Sequence, residues 1–256
     1  SAGWGSVEVL AALAAGLVLT VAFVGWERRA PAPMLPMPLF ASRAFSSGNA
    51  AIFFLFASLS GAVFFMAQFL QTAQHHGPLD AGLRLLPWTA TPFIVAPLTG
   101  ARIARVGERS FATVGLLLQA GGMAWIGPIA TPDLPYLNLV APLVIAGAGV
   151  SVAMPAIQNA VLSSVSPEQL GKASGAFNMM RQLGGVFGIA ILAAVFAAAG
   201  GYASPQQFSR GFAPAIGVCA AISLAGAIVS LALPSRSRAT KPASPRPRAA
   251  LEAEGL

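Results

Sequence analysis

Seven long apolar stretches run along the chain, and nearly all of its charged residues lie between them. A helix needs about 20 apolar residues to cross the hydrocarbon core of a bilayer. The stretches are continuous and do not alternate between apolar and polar positions, which favours helices over the strands of a membrane barrel. Trimmed at proline, glycine and polar turns, they predict seven transmembrane helices near residues 7–26, 48–71, 84–101, 111–130, 137–162, 172–199 and 211–233.

The composition supports a membrane protein and argues against a soluble one. Hydrophobic residues make up 56% of the chain, charged residues 9%, and the mean hydropathy is +0.72, whereas soluble domains carry roughly 25% charged residues. The one cysteine, Cys219, has no intrachain disulfide partner. Since the sequence contains no phosphate-binding loop, metal-ligand cluster or Ser/His/Asp constellation, we predict an all-α polytopic membrane protein without enzyme activity, cofactor or metal.

The net charge of +7 raises the question of nucleic-acid binding. The cations instead form short clusters between the apolar stretches, with no basic face and no interleaved aromatic residues, so no nucleic-acid partner is expected. Twelve of the fifteen Lys and Arg fall on one side of the predicted membrane and two on the other, while Arg181 lies inside a helix. Because cytoplasmic loops carry the excess of cations, this predicts a cell-membrane protein with its N-terminus outside and its C-terminus cytoplasmic.

Proline content and charge divide the chain into four parts. Residues 1–26 form a single transmembrane helix, and the proline-rich residues 27–47 form a cytoplasmic connection that cannot be helical throughout. Residues 48–233 contain the other six helices. Residues 234–256 are expected to be a disordered basic tail. Its cations are expected to set the membrane topology and keep this end soluble, and the alternative is that they contact anionic lipid.

The sixth predicted helix carries a polar stripe. At 100° per residue its members fall within about 120° of one another, so the stripe is expected to face protein or a water-filled cavity, not lipid. Packing is the alternative: Gly184 and Gly188 form a small-xxx-small pair, and Arg181 could bond to helix-end carbonyls. The stripe consists of Gly171, Ser174, Asn178, Arg181, Gln182, Gly185 and Gly188.

Two other helices carry weaker stripes. On the fifth, Gly147, Ser151, Pro155 and Gln158 share one face, and Pro155 would create either a hinge or only a tightly packed contact. The second mixes rings with polar groups, a combination that suits bulky apolar or cationic ligands, although such a stripe of rings also occurs in ordinary packing. Its members are Asn49, Phe53, Ser60, Phe64 and Gln71.

Several segments resemble the fourteen-helix drug:proton antiporters of the major facilitator superfamily. Residues 3–6 resemble the entry to the eighth helix, and residues 69–71 with 77–87 resemble the "YLQ…SPLxAGLxxLP" run. Residues 171–188 look like the "GxASGxxNxxRQxGGxxG" motif of the penultimate helix. The loop around Gly100, Arg105, Gly107 and Arg109 is similar to "GxLADRxGRR", with departures at Arg102, Ala104 and Glu108.

The resemblance implies the last seven helices of such a transporter: one helix of an inserted pair, then the C-terminal six-helix bundle. It implies proton-coupled export of drugs or other amphiphilic small molecules, and hence drug resistance. The coupling acids are expected in a missing N-terminal bundle, without which the chain would be inactive. The loop arginines would latch neighbouring helices. The residues expected to shape or gate the central cavity are Asn178, Arg181, Gln182, Ser174, Gln158, Gln71 and Phe64, and those expected to pack helices are Gly171, Gly175, Gly184, Gly185, Gly188 and Pro155.

Two readings from other classes stay open at this point. A seven-helix receptor or retinal-binding protein with the same orientation has the right helix count, but residues 211–233 contain no lysine for a Schiff base. A structural membrane protein that only binds other helices fits the glycine-rich faces but leaves Arg181 unexplained.

Overall fold

The computed structural model describes residues 7–27, 29 and 37–235, and within them the regular structure is entirely helical. The prediction of an all-helical membrane protein is confirmed. The α-helices of the described residues are α1 (Val7–Glu27), α2 (Arg43–Gln68), α3 (Pro78–Arg84), α4 (Leu86–Val106), α5 (Glu108–Ile129), α6 (Tyr136–Leu162), α7 (Leu170–Ala199) and α8 (Pro205–Ser230). A π-helical segment, Phe69–Ala73, prolongs α2, and short 3-10 helices occupy Met37–Ala41 and Pro167–Gln169.

Two helices begin five or six residues earlier than predicted, because capping residues set their starts. The Ser204 hydroxyl accepts a hydrogen bond from the backbone N–H of Gln207 at 3.2 Å, and Pro205 occupies the first turn. Ser42 caps α2 in the same way through Phe45 N–H. The predicted starts at 48 and 211 are therefore wrong. Bundle structure begins within the segment assigned to the connection, and of the predicted tail only Pro234 and Ser235 are described.

The third predicted helix, 84–101, is also placed incorrectly. The chain forms the separate short helix α3 first, and α4 then runs from Leu86 to Val106. Pro87 has no N–H to donate to the carbonyl of Leu83, so a single continuous helix would lack that bond. The prediction missed α3 because the apolar pattern runs across both helices without interruption.

Six helical segments among the described residues are long and apolar enough to cross a membrane. α4 is not one of them: Pro92 and Pro97 lie inside it, and its threonines and arginines make it more polar. The six are Leu10–Glu27, Arg43–Ala73, Glu108–Ile129, Tyr136–Leu162, Pro167–Ala199 and Pro205–Ser230.

α2 lies at the centre of the bundle, where it packs against α6, α7 and α8. α5 packs against α6 and α8, and α4 packs against α6. Small residues allow these approaches: a Cβ on Gly115 would lie 2.5 Å from the Gly149 carbonyl oxygen, so α5 and α6 touch backbone to backbone there. In α1, by contrast, every side chain that the structure describes is exposed except that of Glu27.

Contacts between helix ends define one end of the bundle, where the starts of α2, α5 and α7 lie with the ends of α6 and α8. Gly48 of α2 adjoins Val161 of α6, Asn159 of α6 bonds to Glu108 of α5, and the Thr113 hydroxyl of α5 bonds to that of Ser230 in α8. Arg43, Arg109 and Lys172 lie there, and we call it the cation-rich end. The opposite end carries α3 and Arg210.

Candidate functional site

Arg181 is a cation well inside α7. It follows Leu170 by eleven positions, which is roughly 16 Å at 1.5 Å per residue. Its guanidinium carbon lies 5.3 Å from the centre of the Phe56 ring on α2. The Nε atom is buried and makes no hydrogen bond to any described residue. A desolvated donor without an acceptor is costly, so this position requires a partner or a function beyond the packing of these helices.

The polar neighbours of Arg181 on α7 point away from the bundle core. Asn178 and Gln182 are exposed, and Ser174 is half-buried. The side-chain amide of Asn178 donates to the backbone carbonyl of Ser174 at 3.0 Å. This bond uses one amide N–H, so the second N–H and the carbonyl oxygen of the exposed Asn178 side chain can bond to a ligand without breaking it.

Glycines hold the adjacent face of α7 against α2. A Cβ on Gly184 would collide with the backbone carbonyl of Phe53, and one on Gly188 with that of Ala57. Gly185 lies beside Ser60, whose Oγ would be 3.0 Å from an added Cβ. This contact fixes α7 on α2 and therefore fixes where Arg181 lies.

Other predicted packing residues behave differently. A Cβ on Gly171 or Gly175 would meet nothing within 4 Å, so neither packs against another described element, and a packing role for them stays a prediction. Pro155 lies inside α6, which runs unbroken from Tyr136 to Leu162, and it is half-buried.

The exposed face of α2 borders Arg181. Phe56, Ser60 and Phe64 fall within about 80° of one another on the helix, and Phe64 is 42% exposed. Gln71 is exposed in the π-helical segment beyond them. Asn49 differs, because it is buried and its amide donates to the Phe45 carbonyl at 2.8 Å. We call the combined face of α2 and α7 the polar–aromatic surface: Phe56, Ser60, Phe64, Gln71, Asn178, Arg181 and Gln182.

An apolar cleft of about 270 Å³ opens on the other side of this face of α2. It lies between α2, α4 and α6, and its walls include Val63, Trp88, Thr89 and Val150. Gln158 is exposed on α6, but no described contact joins it to the polar–aromatic surface. The structure thus groups the α2 and α7 residues and leaves Gln158 apart.

The predicted loop motif is described in part. Gly107 has a φ of 101° and precedes α5, a conformation that side chains rarely adopt and that explains the glycine. Glu108, which departs from the motif, accepts a hydrogen bond from the Asn159 amide at 2.7 Å and so ties α5 to α6. Arg109 lines a cleft at the cation-rich end. At residues 100 and 105 the structure describes only the helical backbone.

Sequence reasoning missed a buried polar cluster between α2, α5 and α8. The Gln119 amide donates to the Ser58 hydroxyl at 3.0 Å, and Ser223 donates to the same oxygen at 2.7 Å. Gln119 Oε1 is buried and makes no hydrogen bond to a described residue. A lone amide within an apolar helix was the available signal, by the rule that singled out Arg181.

Comparison with known proteins gives the family and several relatives. The sequence matches the profile of the Major Facilitator Superfamily over residues 1–189 and again over 51–254. The chain is 32% identical over 243 residues to the cephamycin export protein CmcT of Amycolatopsis lactamdurans, an alignment that covers 94% of this chain and 50% of that protein.

Two further relatives are export proteins by name. The tetracenomycin C resistance and export protein of Streptomyces glaucescens is 29% identical over 216 residues, covering 84% of this chain and 40% of that protein. The multidrug transporter protein MdtP of Bacillus subtilis is 32% identical over 200 residues, an alignment that covers 77% of this chain and 36% of that protein. The chain therefore spans about 36% to 50% of the length of these relatives.

Proposed function

The chain belongs to the Major Facilitator Superfamily, and from this membership we propose that its helices form one bundle of a secondary transporter that exports drugs or other amphiphilic small molecules. The names of the relatives support export and do not favour the receptor alternative. Membership and six apolar helices make the chain a multi-pass membrane protein. Its orientation, with α1 starting outside and α8 ending in the cytoplasm, is proposed from the distribution of cations and takes the 21-residue α4 as a seventh crossing.

Transport in such folds proceeds by two bundles that rock about a site between them. We propose that the polar–aromatic surface of α2 and α7 lines that site and faces an N-terminal bundle of the kind that the greater length of the relatives provides. Phe56 and Phe64 supply apolar contact and cation–π attraction, while Asn178, Gln182 and Gln71 orient polar groups of the substrate.

The observation that carries this proposal is that Arg181, a half-buried cation well inside α7, forms no ion pair with a described residue. Its Nε is covered by this chain, so the guanidinium over Phe56 would reach a counterpart through its terminal nitrogens, on the facing bundle or on the substrate. Asp and Glu in this chain lie in loops, near helix ends or in the tail, so protons are proposed to bind carboxylates of the facing bundle.

The test replaces Arg181 in the complete transporter that carries these helices. We expect Arg181→Ala to reduce export of a fluorescent amphiphilic dye from energised vesicles by roughly 10-fold or more, the loss of one charge-assisted hydrogen bond. The amount of protein in the membrane should stay near that of the unchanged transporter, and Arg181→Lys should retain part of the export.

Arg210→Ala is the matched control, because Arg210 is exposed at the opposite end of the bundle. It should export the dye normally. Normal export by Arg181→Ala at equal protein levels would show that Arg181 only packs against Phe56, and the proposed role of the surface would lose its main support.

A further inference from the structure

A second cleft, of about 580 Å³, lies at the cation-rich end of the bundle. Its walls come from the first turn of α2, the first turn of α5 and residues 231–235, which follow α8. The two charged residues in its lining are Arg43 and Arg109, and both are cations. The proposed transport surface does not include this cleft.

Neither arginine is neutralised within the described part of the chain. Arg43 is exposed and Arg109 half-buried, and neither guanidinium makes an ion pair or hydrogen bond with a described residue. The nearest acid in sequence, Glu108, is engaged by the Asn159 amide. The two charges therefore face the cleft without a carboxylate in its described lining.

Helix ends and hydrogen bonds give the cleft a fixed shape. The Thr113 and Ser230 hydroxyls lie 2.7 Å apart and join α5 to the end of α8. The Ser47 hydroxyl donates to the Arg43 carbonyl at 2.6 Å, which secures the first turn of α2. The starts of α2 and α5 add positive dipole ends, whereas the end of α8 adds a negative one. The two guanidinium groups therefore determine that the electrostatic potential in the cleft is positive.

The cleft lies where the helices end, which for membrane-spanning helices is the boundary between hydrocarbon and water. Leu231, which is 46% exposed, offers apolar surface beside the arginines. A ligand that matches both features carries a phosphate on an acyl chain. We propose that this cleft binds the phosphate group of an anionic phospholipid, with Arg43 and Arg109 as its ligands.

The test uses the whole chain, purified and titrated with short-chain phosphatidylglycerol, with bound lipid counted by native mass spectrometry. Arg43→Gln and Arg109→Gln together should weaken phosphatidylglycerol binding by roughly 30-fold, and each alone by roughly 5-fold. Arg210→Gln removes one exposed charge at the other end of the bundle and should leave the affinity unchanged. Arg43→Lys with Arg109→Lys should keep most of the affinity, because lysine retains the charge that attracts the anionic lipid.

Nanodiscs identify the source of the phosphate and check folding. The unfolding midpoint of the chain should rise in phosphatidylglycerol mixed equally with phosphatidylcholine, compared with phosphatidylcholine alone. Inorganic phosphate added to phosphatidylcholine discs should not reproduce the rise. The glutamine variants should unfold like the unchanged chain in phosphatidylcholine. Equal phosphatidylglycerol affinity of the double glutamine variant and the unchanged chain, or stabilisation by inorganic phosphate alone, would overturn the assignment.

Discussion

Arg181 and Gly188 lie two turns apart on one face of α7 and have different consequences for the molecule. Gly188 lets α7 approach the backbone of Ala57, while Arg181 extends over Phe56 with an unmatched donor. Gly188 therefore fixes the position of α7, and the position of α7 determines where the Arg181 side chain lies.

The close approach at Gly188 predicts a difference between two glycines of the same helix. Gly188→Ala should lower the free energy of unfolding by about 1–3 kcal/mol, because its Cβ would overlap the Ala57 carbonyl and force α7 away from α2. Gly175→Ala should be neutral or stabilising by up to about 1 kcal/mol, since its Cβ meets open space and alanine favours helix. Thermal unfolding of the purified variants compares them, and equal effects would contradict the packing described for α7.

From the sequence, helical periodicity predicts which residues share one face of a helix. The 100° spacing groups Arg181 and Gln182 on one side of α7, and the cost of a charge in lipid singled out Arg181. Periodicity does not tell which neighbour a face meets. It therefore could not separate Gly188, which touches α2, from Gly171 and Gly175, which touch nothing described.

At the scale of the helices, a polar cluster and glycine contacts hold the bundle together. Ser58 of α2 accepts hydrogen bonds from Gln119 of α5 and Ser223 of α8, so one hydroxyl joins three helices. These contacts lie in a region where water is not expected to replace a lost partner.

This arrangement predicts that Ser58 stabilises the bundle and its neighbour Ser60 does not. Ser58→Ala leaves the donors of Gln119 and Ser223 without their acceptor and should lower the free energy of unfolding by about 1–2 kcal/mol. Ser60→Ala is the control, since Ser60 is half-buried and makes no side-chain hydrogen bond among the described residues. Adding Gln119→Leu to Ser58→Ala should recover part of the loss. Equal midpoints for the two serine variants in thermal unfolding would rule out this role.

The helices themselves were largely predictable, because apolar length alone marks a span. Their boundaries were less so. Charged residues marked the predicted ends, but Ser204 and Pro205 start α8 before Arg210, and Pro87 divides an apolar run into α3 and α4. The Gln119 cluster depends on three helices meeting, which no single stretch of sequence encodes.

At the scale of the whole molecule, the two faces of α2 have different surroundings. One face is buried against α6 and α8, and the other, with Phe64 and Ser60, stays partly open between α7 and the apolar cleft. The chain spans only 36% to 50% of its relatives, so an open face with polar and aromatic groups agrees with a bundle that meets a second one. Its sequence resemblance indicated the family, and the packed helices indicate which face is available.

The most direct test of that claim is the accessibility of single cysteines to a water-soluble thiol reagent, in the complete transporter with Cys219 replaced by serine. Gln182→Cys and Phe64→Cys should react, and an exported substrate should slow the reaction, because both would line a water-filled crevice. Leu117→Cys, at an exposed position midway along α5, should face lipid and stay unreactive. If the cysteines at positions 182 and 64 were as unreactive as the one at 117, the surface would face acyl chains and the proposed transport site would be wrong.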